Sequence, residues 1–572
     1  ITYSASAYCD GIGDTPQPTV AGNTGAGTFS STSGIIFADT GSNTGSSTGV
    51  INVDASTDGA TYVVTYTDTD SDIATANVTL NALDNAAFSY SASSYSQADT
   101  DPTPTITGLT GGTFSGTTGL VINSTTGEID LSASTIASHI VTYSTSLSGS
   151  SVCPNTSTFG LAVTAVYSPF QMQFDTSGGK TITIPSTVGS SFTVDWGDTT
   201  VTTETGGTIS HTYASGIATS TVSIGAQSDS GAFTKFAFNN SGSKSDLLDV
   251  PQWGSIAWTT FNSMFYGCNN INFQISATDY PDMSNATDMQ LMFFNATYFN
   301  SNIDHWNVST ITNMNGTFRE ADNFNQSLNS WDVSNVTNFQ NAFASLGGVA
   351  VFNGNISNWN MSSCENTSNM FYNQTSFNQD ISGWSFSNNW VNANQMFFNA
   401  SSFNQNLGSW NTSGLLNMSG MLRGCTNFNN NGGTLSAWDV SSVTTMLRMF
   451  QQATSFVGTG LDSWNPSSCT DFAVLFYSTS FNQNLNSWSL NSSLTSASSM
   501  FHPSSMSQAN YTDTLVGWAN TVFTNSAPYS VNFTGNSFST KFDGTRSGGA
   551  NFTTAQDAYN YLIGATASWS IS

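Results

Sequence analysis

The sequence predicts a mainly β protein: three β-sandwich domains in series, followed by a solenoid of stacked coils with repeats of roughly 25 residues. Two observations carry this. The first 240 residues hold short Thr/Val/Tyr-rich runs with period-two alternation, broken by Gly, Pro and Asp, the pattern of small antiparallel sandwiches. From about residue 250 a Phe-Asn…Trp phrase recurs, as in "FNQDISGWSFS" at 377–387, "FNQSLNSWDVS" at 324–334 and "FNQNLNSWSLN" at 481–491. Self-similarity at such a period marks a solenoid.

Composition bounds what such a chain does. At 572 residues it is too long for one core. Charged residues make up only 8%, against about 25% in an average domain, so solubility rests on Ser, Thr, Asn and Gly. The net charge is −27, with eight basic residues. Nucleic acid and anionic membrane are excluded as partners, because neutralising phosphates takes clustered cations. No apolar run is long enough to cross a bilayer, so membrane insertion is not expected. The chain starts at Ile1 and shows no signal-peptide pattern, which reads as a processed product or a piece of something longer. Six cysteines form no CxxC pair and no zinc-ligand spacing. The expected setting is extracellular: cell surface, secreted or virion surface.

The first two modules are expected at 1–84 and 85–167. "ITYSASAYC" (1–9) answers "FSYSASSYS" (88–96), and "YVVTYT" (62–67) answers "HIVTYS" (139–144). In the first of those strands Tyr62, Val64 and Tyr66 should share one face. These segments resemble the tandem Ig-like domains of bacterial surface proteins. In such domains a Cys at the "YC" position pairs with one in a late hairpin; here the first copy keeps only Cys9 and the second only Cys153. Two isolated thiols is the simpler expectation, and a Cys9–Cys153 cross-link between domains or chains is the alternative. "TDTDSD" places Asp68, Asp70 and Asp72 at calcium-loop spacing but lacks the Gly and distant Glu of an EF-hand. An acidic hairpin tip is expected, with a weak Ca²⁺ site as alternative; no other cofactor is called for. A third module, at 168–243, carries "VDWGD…HTY", which resembles PKD-type domains. His211, Asp195 and Asp198 there read as a structural turn.

The repeats are expected over 244–523 and a C-terminal cap over 524–572. The phrase tryptophans are Trp306, Trp331, Trp359, Trp384, Trp410, Trp438, Trp464 and Trp488, at intervals of 24 to 28 residues. After each comes a Met-Phe-type pair ending in Phe318, Phe343, Phe371, Phe397, Leu422, Phe450, Phe476 or Phe501, with Phe265 and Phe293 upstream. A leucine-rich-repeat-like coil follows, with "VSNVTNM" as strand and "MFxxAxxF" as a short helical or 3₁₀ return. Trp, Val, Met and Phe slots should stack into one core. Asn300, Asn325, Asn353, Asn378, Asn404, Asn429 and Asn482 share one slot and are expected as an inward asparagine ladder that satisfies backbone groups. Register makes Cys268, Cys364, Cys425 and Cys469 buried hydrophobes, too far apart to pair. The full pattern resembles the BspA-like repeat family of surface proteins, with "DVPQWGSIAWTTFNSMFYGC" (249–268) as the way in and "YTDTLVGWANT" plus a terminal "ASWSIS" as the way out. The resemblance implies a non-enzymatic surface protein used in adhesion or recognition. In the cap, Ala555, Ala558, Tyr559 and Leu562 at helical spacing after Thr553 or Thr554 predict a short amphipathic helix.

Catalysis takes convergent titratable groups. The four histidines, His139, His211, His305 and His502, lack a nucleophile or carboxylate pair at a known spacing, and no enzyme is expected. Partners are expected to be a glycan or protein on a cell surface, or copies of the chain itself. Off-register aromatics such as Trp390 and Tyr298 are candidate exposed contacts. The alternative reading is a subunit of a filament or virion appendage that assembles through its sandwiches, whose edge strands can pair between chains.

Overall fold

The Thr/Val/Tyr alternation of Ala60–Asp68 forms a strand in a computed structural model of the chain, burying Tyr62, Val64 and Tyr66. The structure describes all residues except 12, 23–25, 147–151, 165–167, 190, 226–232, 274–278, 348–349, 526–529, 537, 565–566 and 572. It divides into two compact units, Ile1–Val166 and Tyr167–Ser572.

The first unit is two copies of one topology. In one, Ile73–Asn81 pairs antiparallel with Ala60–Asp68 and parallel with Ala7–Cys9, and Gly27–Ser31 closes the other edge. In the other, Thr156–Thr164 pairs antiparallel with Ala137–Ser144 and parallel with Ser94–Ser96, beside Thr113–Gly116. Each copy has its own core. The repeated Ser-Ala-Ser-x-Tyr stretch has a local reason: the Tyr8 hydroxyl accepts from the Ala5 N–H and the Tyr95 hydroxyl from the Ala92 N–H, both at 2.8 Å. Opposite the first sheet lies mostly irregular chain, because the Gly/Ser/Thr-rich stretch 38–50 offers few residues to a ladder. The residues flanking that stretch, Ile35, Phe37, Ile51 and Val53, enter the core.

The second unit opens with a five-stranded and a three-stranded sheet. The strand Leu247–Gln252 pairs with Phe170–Asp175, so the third β module runs past the boundary expected at 243/244. One hydrophobic core extends from Phe170 through the repeats to Trp569.

Among the described residues, isolated parallel bridges join each repeat to the next, from Asp288↔Asn313 and Asn313↔Asn338 onward to Asp471↔Ser496, with Thr479↔Ser504 as a second one at that last step. The expected strand therefore shrinks to one residue pair. The expected helical return is absent too; successive turns replace it. The cause lies in two left-handed positions. Two residues before the Met-Phe phenylalanine the backbone φ is positive, at Ser263, Leu291, Asn341, Arg448 and Val474 among others, and two residues after it at Asn295, Glu320, Asn373 and Asn399. Alternating handedness interrupts any helix and sends alternate N–H groups two ways. Those of Met292 and Phe294 close local turns on Met289 and Leu291, whereas those of Met289, Leu291, Phe293 and Asn295 donate to carbonyls of the next coil at 2.8–3.0 Å. The same pattern recurs down the stack, so backbone groups buried in the coil are satisfied without helix or sheet.

Both ends are closed by other elements. The N–H groups of Phe238, Asn239 and Asn240 donate to carbonyls of the first coil. At the other end Ala497 and Ser499 donate to the carbonyls of Asn532 and Thr534, and Phe501 to Asn536 Oδ1. The sequence reading missed an 18-residue helix, Gln508–Asn525, which spans the boundary expected at 523/524. The expected terminal helix is Ala555–Ile563, with Thr554 and Asp557 forming a capping box and Ala555, Ala558 and Leu562 buried.

Candidate functional site

The phrase residues are structural. All eight tryptophans are buried. From Trp331 onward each indole N–H donates to a backbone carbonyl of the preceding coil: Trp331 to Ile303, Trp384 to Ile356 and Trp488 to Leu461, at 2.7–3.1 Å. Trp518, on the long helix, takes the next position with a bond to Leu485 of 3.0 Å. In most coils the Met-Phe ring stacks on the Phe-Asn ring, as Phe371 does on Phe377 at 4.0 Å, and on its counterpart one coil along, Phe397, at 5.5 Å; Leu422 breaks both rows.

The asparagines form rungs at the surface rather than inside. Asn300 Oδ1 accepts from the Asn325 N–H, Asn325 from Asn353, Asn353 from Asn378, Asn378 from Asn404 and Asn404 from Asn429, at 2.7–2.9 Å. The preceding Phe points inward, so its extended neighbour points out. Val457 interrupts the series: its N–H donates to Asn429 Oδ1, but it offers the Asn482 N–H only its backbone carbonyl at 3.4 Å, while Asn482 Oδ1 accepts from the Ser507 N–H. A second amide row was missed by sequence reasoning. Asn313, Asn338, Asn366, Asn392 and Asn417 each accept from the N–H two residues on, closing Asx turns; the recurring Asn before each Met-Phe pair was its signal.

Outside the repeats, Cys9 and Cys153 form a disulfide joining the two β modules of the first unit, so the isolated-thiol expectation does not describe them. Cys268, Cys364, Cys425 and Cys469 are free and buried. Asp68 Oδ1 accepts from the N–H groups of Asp70 and Asp72, both at 2.9 Å, and so closes the hairpin tip. Among the described residues no three metal-binding side chains converge. His211 Nε2 lies 2.7 Å from Asp198 Oδ2 and stacks on Trp196. Burial pushes the Asp198 carboxyl up, and the bonds from His211 and Thr200 outweigh it to hold the group below its ordinary value. The Tyr213 hydroxyl donates to the Trp196 carbonyl, completing a packed turn. Tyr298 is exposed, but Trp390 is fully buried, stacked on Phe386 at 3.8 Å and bonded to Thr367 Oγ1. Its ring lies in the core between Thr367 and Trp410 of the neighbouring coils, so it is no surface contact.

What the repeats present outward is set by the residue directly after each Met-Phe pair. There Tyr266 stacks on Phe294 at 4.5 Å, with the Arg319 guanidinium 5.0 Å from the Phe294 ring. The arrangement recurs four coils on: Tyr372 stacks on Phe398 at 4.4 Å, with Arg423 at 4.9 Å. Next to the second triad is a concavity of about 170 Å³ lined by Asn394, Gln395, Ser419, Gly420, Arg423 and Arg448. Burial, then the charge of Arg448, pushes Arg423 below its ordinary value. A larger polar cleft, about 670 Å³, lies along the long helix beside Asn486, Asp513, Asn520 and Asn551; Arg546 holds Asp513 by a two-pronged ion pair. Among the described residues no helix is long and apolar enough to cross a membrane.

The profile of a family described as "Mycoplasma protein of unknown function, DUF285" matches residues 233–350, 346–434 and 392–514, together just under half of the chain. The C-terminal region is thus similar to this BspA-like repeat family. No curated protein sequence matches the chain. Solved structures that match include mouse cadherin-23 EC22–24, at 13% identity over 37% of this chain and 76% of that one with a TM-score of 0.15. Another is protocadherin gammaB7 EC3–6, at 12% identity over 38% and 65% with a TM-score of 0.12. Likeness at these scores carries no argument.

Proposed function

From the similarity of its C-terminal region to a repeat family, we propose that this chain is a non-catalytic extracellular protein. In this reading β-sandwich modules serve as a stalk, and a leucine-rich-repeat-like solenoid recognises a glycan or protein on a cell surface without a cofactor. One observation carries it. The repeats commit their Trp and Phe-Asn aromatics to the core and turn outward rows of uncharged amides and hydroxyls, interrupted on one face by two Tyr-Phe-Arg stacks. Such a face suits hydrogen bonding with planar contacts to a glycan or protein. The Cys9–Cys153 disulfide supports an oxidising, extracellular setting. Because it closes within the chain, it also occupies the two thiols that a covalently cross-linked filament or appendage would use.

The test pairs an array of glycans and cell-surface proteins with light scattering on the full chain. Saturable binding by a monomer is the expected result. Absence of binding together with defined oligomers or filaments would replace the recognition reading with the appendage one.

A further inference from the structure

We propose that Arg423 and Arg448 form a binding site for one oxyanion, a carboxylate or sulfate ester, carried by an acidic polysaccharide. The inference rests on the recognition reading above and names the ligand class of the repeat face.

Cations are scarce in this chain, eight in all, and four of them are held by oxygen partners. Lys180 pairs with Asp175 and Asp246, and Arg546 with Asp513. Lys541 donates to the carbonyls of Ser504 and Met506, and Lys244 to Asn240. Arg423 and Arg448 differ. They stand on adjacent coils, line one concavity, and form no ion pair with any described carboxylate. No Asp or Glu lines that concavity.

The two arginines are placed differently, and the difference suits a ligand. Arg423 is half-buried and stacked on Phe398, which itself stacks on Tyr372, so its guanidinium plane is fixed before anything binds. Its Nε is out of solvent with no hydrogen-bond partner, a donor left for an incoming acceptor. Arg448 is exposed, in the left-handed position of its coil at φ 58°. In the coil before it that position is Gly420, also left-handed, whose missing side chain leaves the hollow open. About 170 Å³ is the volume of five or six waters, enough for a carboxylate or sulfate group while the sugar chain runs outside. A guanidinium favours such groups because its fork matches two oxygens. Two like charges side by side without a counter-ion are relieved by the anion; burial first, and the charge of Arg448 second, disfavour the charged form of Arg423. Repulsion from the chain's net −27 acts over longer distances and is screened at physiological salt, whereas contact within the hollow is not.

Arg319 is a built-in control. It has the same stack on Phe294 and the same buried, unpartnered Nε, but Glu320 follows it and the left-handed position one coil on is Asn341, so these features alone should not bind the anion. Arg319 thus has a carboxylate beside it that acts on it electrostatically, and an uncharged amide at the position that Arg448 takes beside Arg423.

Titration calorimetry on the full chain would use three probes: an oligogalacturonate (carboxylate), a dextran sulfate oligosaccharide (sulfate ester) and uncharged dextran. At least one acidic probe should bind, more weakly at high salt, and R423Q and R448Q should each weaken it about tenfold or more. R319Q should bind as the parent does, and R448K should retain most of the affinity, with unchanged melting curves for all variants. Which acidic probe binds identifies the source of the oxyanion. Equal affinity of R423Q, R448Q and parent for the acidic probes overturns the site, as does binding of dextran alone; in both cases recognition of glycans stands. If the parent binds none of the three, the site falls, and glycan recognition falls with it if the array is also blank.

Discussion

Asn378 Oδ1 accepts the Asn404 N–H and the Gln405 side chain, each at 2.9 Å, across two coils. Replacing it by Ala leaves the Asn404 N–H to water, while Gln405 keeps its bond to the residue 378 carbonyl, so Asn378→Ala should lower stability by about 0.5–1.5 kcal/mol in urea unfolding. Asn378→Asp keeps an acceptor oxygen and should cost less; equal losses in the two variants would mean that the rung is not what matters. Asp175 gives a pH-dependent counterpart. Bonds from Lys180, then Ser177, hold its carboxyl at about 2, against an ordinary 3.8. A group whose pKa is depressed by folding adds stability above its unfolded value and loses it as pH falls through the folded one. The melting-temperature gap between the parent and Asp175→Asn should therefore be full above pH 4 and close toward pH 2. Lys180 is shifted up by the same contacts, so its share persists through neutral pH and fades only in strong alkali.

At the scale of elements, the helix Gln508–Asn525 is a cap that imitates a coil. Trp518 is fully buried and its indole N–H reaches Leu485, as the phrase tryptophans reach their own acceptors. Trp518→Ala should cost about 3–5 kcal/mol, read as a shift of the denaturation midpoint; a shift no larger than that of an exposed helix substitution would show the helix to be dispensable. How much of this was legible depended on repetition. The Trp and Phe slots stood out because the same letters return every coil. The left-handed positions did not, because Ser263, Leu291, Asn341, Arg448 and Val474 share a conformation that the stack imposes against side-chain preference. The long helix was hidden by Gly517 and by a Thr/Asn content that favours turns. Arg423 and Arg448 read as scattered cations, because only the coil register brings them to one hollow.

At the scale of the whole molecule, the cores divide the chain unevenly. The first unit has two small cores bridged by Cys9–Cys153 across 144 residues of sequence, a closure worth about 2–5 kcal/mol. The second has one core from Phe170 to Trp569. Calorimetry should show that reductant lowers only the transition belonging to residues 1–166, while the third β module melts together with the repeats. A reductant-sensitive transition for the repeats would contradict this partition, since their four thiols are free and buried; burial pushes Cys469 up to about 12 and raises Cys268, Cys364 and Cys425 as well.

The left-handed positions have one more consequence. In an ordinary parallel ladder N–H groups alternate in direction, and their dipoles largely cancel. Around each Met-Phe pair of this stack, four N–H groups per coil point toward the following coil and none of them points back. The peptide units there lie head to tail over the full length of the repeats, so this side of the protein is electrically polarised end to end as a helix is. Its positive pole faces the C-terminal cap, where the carbonyls of Asn532 and Thr534 and the amide oxygen of Asn536 meet it. Adding coils by duplication would lengthen that polarised column, and the same cap would still fit its end.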